Sequence, residues 1–347
     1  MNLKIIIDKI VHNREIIHFD DGIHHISSQH NIIFFKYHDE QRQLHLPTNF
    51  FDKLLGYFRL ARRLLRLDKN NVFYTGENKF IIIRRGKVYL YDWKTTKLTQ
   101  TLTLKLSQNV LHGSLLSLPT GEIYFGEYGS NPQRQSVPVY RSVDQGQSWE
   151  IIYEFPAGKI RHVHALQWDP ISEKIWIFNG DYDGECWILL TDKSFKSIQW
   201  LGDGTQKWRA CGAFFEKKYV FWGMDSPLTE NFWCCYDRET GQLTQSQSFS
   251  GPIWYSKKLA NGYYLIAATC EIGPGVKENN ANIYLSRDLF NWTKVLTLAH
   301  DGLPKGYFKF GVIAFAEGQQ TSDHFWIFGE ALKKLDGKAA LCRIEYV

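Results

Sequence analysis

Long apolar runs are missing from this chain of 347 residues. Nothing approaches the ~18 consecutive apolar residues of a membrane-spanning helix. The opening stretch, MNLKIIIDKIVHNREIIHFDDG, has only a short apolar segment, interrupted by Asp8 and Lys9. It lacks the longer apolar region and small-residue cleavage site of a secretory signal, so a cytoplasmic location is expected. Cys186, Cys211, Cys234, Cys235, Cys270 and Cys342 follow neither a CxxC nor a disulfide-scaffold spacing, and read as buried thiols. Charge of one sign is also scarce. A net charge of +5 permits an acidic partner but gives no reason to expect nucleic acid. Methionine, at 2 residues, is nearly absent.

Aromatic residues, by contrast, are abundant: 12 Trp, 18 Tyr and 23 Phe. Flat rings suit the pleated surface of strands better than a helical bundle. Short alternating segments such as KFIIIRR, KVYLYDW, KIWIFNG and HFWIFGE recur along the chain, separated by turn residues.

A long period underlies them. Five segments begin at a polar or aromatic residue, turn, and return along an apolar strand that ends at an acid. The pairs are His112 with Glu127, His164 with Asp181, Arg209 with Asp225, Tyr255 with Glu271, and Phe310 with Glu330. Their leading residues lie 52, 45, 46 and 55 positions apart, the repeat length of a β-propeller blade. Two further units fit at about 10–67 and 68–104. The expected fold is therefore all-β: a seven-bladed β-propeller of four-stranded blades, with the whole chain 1–347 as one domain. The strand LKIIID is expected to complete the last blade beside ALCRIEYV, removing a sheet edge.

The segment SVDQGQSW, Ser142 to Trp149, falls between the third and fourth strands of a blade. It resembles the Asp-box, S-x-D-x-G-x-[S/T]-W, of sialidase-like and other Asp-box (BNR-repeat) propellers. A degraded copy, SRDLFNW, keeps Ser286, Asp288 and Trp292. The chain departs from sialidases in lacking an Arg-Ile-Pro triplet and in offering one convincing funnel arginine, Arg209, where they gather three. The motif reads as a fold-stabilising turn: the aspartate accepts amide hydrogen bonds, the glycine permits positive φ, and the tryptophan packs between blades.

Strand parity puts that turn at one end of each blade. The start of the first strand and the end of the second meet at the other end. His112, His164, Arg209 and Tyr255 are the catalytic candidates there, with Glu127, Asp181, Asp225 and Glu271 as substrate-binding acids, most of which could equally close loops. His162 and His164 alternate onto one face, and with His112 could hold a divalent metal, joined by Asp181 or Asp183. A site needing no cofactor is equally compatible with these residues. The segment CEIGPGVKENN, 270–280, reads as a mouth loop.

One insertion breaks the strand pattern. Residues of about 48–67 read as an amphipathic helix with Phe51, Leu54, Leu55, Phe58 and Leu65 on one stripe and Arg59, Arg62, Arg63 and Arg66 on one side. The helix is expected to dock beside the funnel, where arginines such as Arg62 can attract an anionic substrate.

The resemblance and the polar funnel together imply a carbohydrate-active enzyme cleaving an acidic oligosaccharide or glycoconjugate, as an eliminating lyase or a glycosidase. The alternatives are a non-catalytic propeller that binds a glycan or protein, and an enzyme that modifies a small metabolite.

Overall fold

The computed structural model describes residues 3–76 and 78–347. Their strands form seven four-stranded antiparallel sheets, the blades of a β-propeller. The second blade uses Asn71–Tyr74, Lys79–Arg84, Lys87–Asp92 and Lys97–Thr103, close to the four strands expected from the sequence. In the seventh, Leu3–Val11 pairs antiparallel with Lys338–Tyr346, Leu3 opposite Tyr346, so the first strand of the chain completes the last blade. No helix among the described residues is long and apolar enough to cross a membrane.

The backbone clusters into two compact units. One comprises the chain through Asn70, Pro227–Asn231 and Gln247–Val347; its core gathers Leu265, Ile283, Ile313, Ile327 and Leu332, each fully buried. The other comprises Asn71–Ser226 and Phe232–Ser246. Its cores include Tyr124, Ile177 and Leu189 in one cluster and Trp176, Trp222 and Cys234 in another. Alternating strands make this possible, because every second side chain faces a neighbouring sheet.

The Ser142–Trp149 turn follows Val137–Ser142 in the third blade. Ser142 Oγ accepts from the Gly146 amide at 2.8 Å, and Asp144 Oδ1 accepts from the Ser148 amide at 2.9 Å. Gly146 has φ +87°, and a Cβ there would meet Ile81 Cδ1 at 2.2 Å. Trp149 donates its indole N–H to Thr101 Oγ1 of the second blade at 3.0 Å and packs edge-on against Phe125. The degraded copy reuses the device in shorter form: Leu289 takes φ +65°, and its amide reaches Ser286 Oγ at 2.9 Å. Ser142 pairs with Ile123 while Val139 pairs with Gly126, so the turn lies at the end of the blade away from Glu127.

The inserted segment differs from the expected single helix. It forms α1, Phe50–Leu55, and α2, Arg59–Leu65, broken at Gly56–Phe58. A Cβ on Gly56 would lie 2.2 Å from the His30 ring, so the turn closes only with glycine seated there. The sidedness is also corrected. Arg62 and Arg63 are buried, whereas Phe51 and Phe58 are mostly exposed. Arg62 Nε donates to Glu15 at 2.9 Å, Arg63 Nη1 to Asp301 at 2.5 Å, and Arg59 forks onto Asp336 at 2.9 and 2.8 Å. Paired carboxylates supplied from elsewhere in the same unit outcompete the apolar stripe for the inward face.

Candidate functional site

The candidate residues gather at the fourth and fifth blades. The inner strand of the fourth, His162–Asp169, pairs with Lys174–Gly180, and His162 lies opposite Gly180. The register skips His164, which sits in a β-bulge between Val163 and Ala165. A bulge re-aims the extra side chain, so His164 reaches its neighbour through this irregularity and not through simple alternation. The inner strands of the first and sixth blades skip one residue in the same way, at His18 and Trp254. In the sixth blade the irregular position is therefore Trp254, one residue before Tyr255.

His162 Nε2 and His164 Nε2 lie 3.0 Å apart. Each opposite nitrogen faces a carbonyl oxygen: His162 Nδ1 donates to Gly129 O at 2.6 Å, and His164 Nδ1 to Ala210 O at 2.9 Å. A carbonyl can only accept, so both Nδ1 atoms carry hydrogen and both Nε2 atoms of the neutral rings present lone pairs. Asp181 Oδ1 completes a triangle, 3.5 Å from His162 Nε2 and 3.4 Å from His164 Nε2. Three lone-pair donors meeting in a buried place require a proton or a cation among them.

Asp181 is aimed by Gly180, whose φ is +135° and whose Cβ would meet Cys186 Cα at 3.0 Å. Arg161 Nη1 holds Oδ2 at 2.6 Å, and Arg209 Nη2 holds Oδ1 at 2.9 Å. Burial works against ionisation of Asp181, but a proton shared with the His162 and His164 rings and the charge of Arg209 overcome it and hold the carboxyl well below the usual range. Burial also pushes the His162 imidazole below its ordinary value. Arg209 Nε reaches Asp225 Oδ2 at 3.3 Å, linking the two acids, and buried Asp225 Oδ1 has no hydrogen-bond partner among the described residues. The Cys211 thiol donates to Asp225 at 3.3 Å. Burial and that neighbouring charge raise it well above an ordinary thiol and so favour its protonated form.

Above this cluster the groups are more exposed. Tyr128 packs on His162 with ring centroids 4.1 Å apart. Tyr182 is 47% exposed, with Arg134 at 5.3 Å and Arg161 at 5.8 Å from its ring centroid. Both cations are also paired, Arg134 with Glu185 and Arg161 with Asp181, each at 2.6 Å, but unlike Arg62 they stay part-exposed, so the aromatic face beside them fits a flat apolar surface bearing an anionic group.

The structure thus brings together His162, His164, Asp181, Arg209 and Asp225. The ligand triads among the described residues are His162–His164–Asp181 and His164–Cys211–Asp225; neither includes His112, which is half-buried in the turn before the third blade's first strand. Asp183 instead accepts from Gln206 at 3.2 Å. Glu127 is structural: it accepts from the amides of Lys105, Leu106 and Ser107 and from the Tyr140 hydroxyl. In the other unit, Tyr255 packs against apolar core clusters, Glu271 accepts from Thr269 Oγ1 at 3.2 Å, and Glu330 pairs with Lys309 at 2.8 Å. Arg62 is committed to Glu15 and to Gly56 O and is 8% exposed, so it does not present its charge to a ligand. Arg134, Arg161, Tyr128 and Tyr182 escaped sequence reasoning. Three of them flank the candidates directly, at Glu127-Tyr128, Arg161-His162 and Asp181-Tyr182, and adjacency was the only available signal.

No known family profile and no curated protein sequence matches this chain. Solved structures do share its fold. A chain of the Mitotic Checkpoint Complex superposes with a TM-score of 0.58 at 11% identity, over 99% of this chain and 95% of that one. The extracellular domain of a putative hybrid two component system, BT4673 from B. thetaiotaomicron, gives 0.59 at 10% identity. That match covers 98% of this chain but 40% of the other. These likenesses define a seven-bladed β-propeller and nothing finer.

Proposed function

We propose that this chain is a propeller enzyme that cleaves an acidic saccharide by elimination, with His162, His164 and Asp181 holding a divalent cation. The observation that carries the reading is the convergence of two imidazole Nε2 atoms and a carboxylate oxygen within 3.0 to 3.5 Å. Tetrahedral ligands ~2.0–2.1 Å from a metal lie about 3.3–3.4 Å from one another, so these residues fit such an ion. The Nδ1–carbonyl bonds are the outer-shell contacts that fix ligating histidines. When bound, the cation supplies positive charge to neutralise a substrate carboxylate.

The chain's own groups have separable tasks. Tyr182 offers a stacking face, and Arg134 and Arg161 attract the anionic group beside it. Tyr128, after its hydroxyl proton has passed to solvent, supplies a phenolate that accepts the proton next to the substrate carboxylate and returns it to solvent after turnover. As that C–H bond breaks, a carbon–carbon double bond forms and the glycosidic oxygen departs, to be protonated from solvent. Elimination is favoured over paired-carboxylate hydrolysis because Arg209 ties up both Asp181 and Asp225. A glycosidase acid must be protonated, and Asp181 is held ionised. Burial of His164, at 1% exposed, favours a second reading, a glycan-binding propeller without turnover.

The test offers oligouronates to the protein with and without chelator and follows ultraviolet absorbance of an unsaturated product. Absorbance growth that chelator abolishes supports the enzyme. Metal-loaded protein that binds oligouronates through Arg161 and Tyr182, yet never turns them over, establishes the binding reading instead.

A further inference from the structure

The α1–α2 hairpin turns the usual arrangement of an amphipathic segment inside out. Phe50, Phe51, Leu54, Tyr57, Phe58 and Leu60 are each at least 50% exposed, within eleven consecutive residues. Leu64 and Leu65 continue the surface along α2. Single exposed apolar residues are ordinary, but a contiguous group of this size on a soluble surface marks an interaction site.

The polar face is what the protein buries. Arg59 bonds to Asp336 and Asp68, Arg62 to Glu15, and Arg63 to Asp301 and to the carbonyl of Phe308 in α3, Lys305–Phe308. These contacts fix the rotation of α2, so the apolar side chains cannot turn inward without abandoning buried ion pairs. The outward orientation is thus built in.

Charge decides what covers the surface. Asp52 is the only acid in residues 50–67, and Lys53 and Arg66 remain exposed among the apolar side chains, so the outer face carries a net positive charge. The hairpin's own acid, Asp52, is half-buried and accepts from Asn49 Nδ2 at 2.9 Å, while Glu15, Asp68, Asp301 and Asp336 face inward and are paired with its arginines. The outer face is therefore apolar, aromatic-rich and basic. It suits the headgroup boundary of an anionic bilayer, where Phe and Leu enter the acyl region while Lys and Arg meet phosphate. We infer that the α1–α2 hairpin seats the protein on an anionic lipid surface, lying in the interface without spanning it. The inference stands apart from the proposed catalytic reading, because it uses no residue of that site.

Vesicle flotation tests it, using the full chain and phosphatidylcholine vesicles with or without phosphatidylserine. Wild-type protein should float with phosphatidylserine vesicles, less so with phosphatidylcholine alone. The triple variant Phe51→Ser, Leu54→Ser, Phe58→Ser should lose at least about ten-fold in partitioning, with thermal unfolding unchanged because those side chains are already exposed. The pair Lys53→Glu, Arg66→Glu should remove the preference for anionic vesicles. Failure of the wild type to float with either vesicle overturns the inference. So does a wild-type dimer that the triple variant converts to monomer without any vesicle binding, which would assign the face to a second copy of this chain.

Discussion

His162 Nε2 and His164 Nε2 face one another at 3.0 Å, while each ring's Nδ1 is committed to a backbone carbonyl. Two neutral imidazoles held in that way repel unless something positive stands between them. A proton or a cation between them would remove that repulsion, and the two cases behave differently.

If a cation belongs there, metal-free protein should bind one divalent ion per chain by calorimetry. His164→Ala should weaken binding by at least ~100-fold, since outer-shell changes alone cost 10–100-fold. His112→Ala should leave it unchanged. Equal binding by wild type and His164→Ala would place the ion elsewhere, and no binding by the wild type would indicate a shared proton at the cluster.

Stability of the metal-free protein should fall in two steps as pH is lowered. His162 lies below its ordinary value of 6.5, so the unfolded chain takes up that proton first, and stability declines as pH drops below about 6.5. Asp181 is depressed in the folded state. Its contribution is present above the unfolded value of about 3.9 and is lost as pH falls from there towards the folded value. Urea unfolding across pH 4–8 measures the first decline; a flat profile between about 5 and 7 would contradict it.

Arg209→Met should destabilise the protein by about 3–5 kcal/mol, because it leaves Asp225 buried and unpaired and weakens the hold on Asp181. Adding Asp225→Asn should recover part of that loss, and denaturant unfolding of the two variants measures the coupling.

Gly180→Ala should cost about 1–3 kcal/mol, from backbone strain at φ +135° and the contact with Cys186. It should also weaken metal binding by displacing Asp181. The control is Trp149→Ala in the Ser142–Trp149 turn, which should lower the melting temperature while leaving metal affinity intact. Loss of metal binding in that variant would mean the turn and the site are coupled.

Much of the fold was legible before any coordinates. The blade repeat, the joining of LKIIID to the final strand and the turn role of Ser142–Trp149 follow from local alternation and turn chemistry, which act within a few residues. The site was legible in part. His162, His164, Asp181 and Arg209 were named together, but the bulge at His164 was not visible, because β-alternation alone also brings His162 and His164 to one face. Tyr182 and Arg161 went unmarked, since exposure is a property of the surrounding surface and not of the residue.

The hairpin at 50–65 separates the two kinds of information most clearly. Spacing alone determined that the apolar side chains and Arg59, Arg62 and Arg63 would occupy different faces, because the helical period assigns positions to sides; Arg66 departs from its side because it caps α2 in the left-handed region. Which side points inward was decided only by tertiary structure. The deciding partners, Glu15, Asp301 and Asp336, lie up to hundreds of residues away in the chain, and no periodicity within the segment records where folding will bring them.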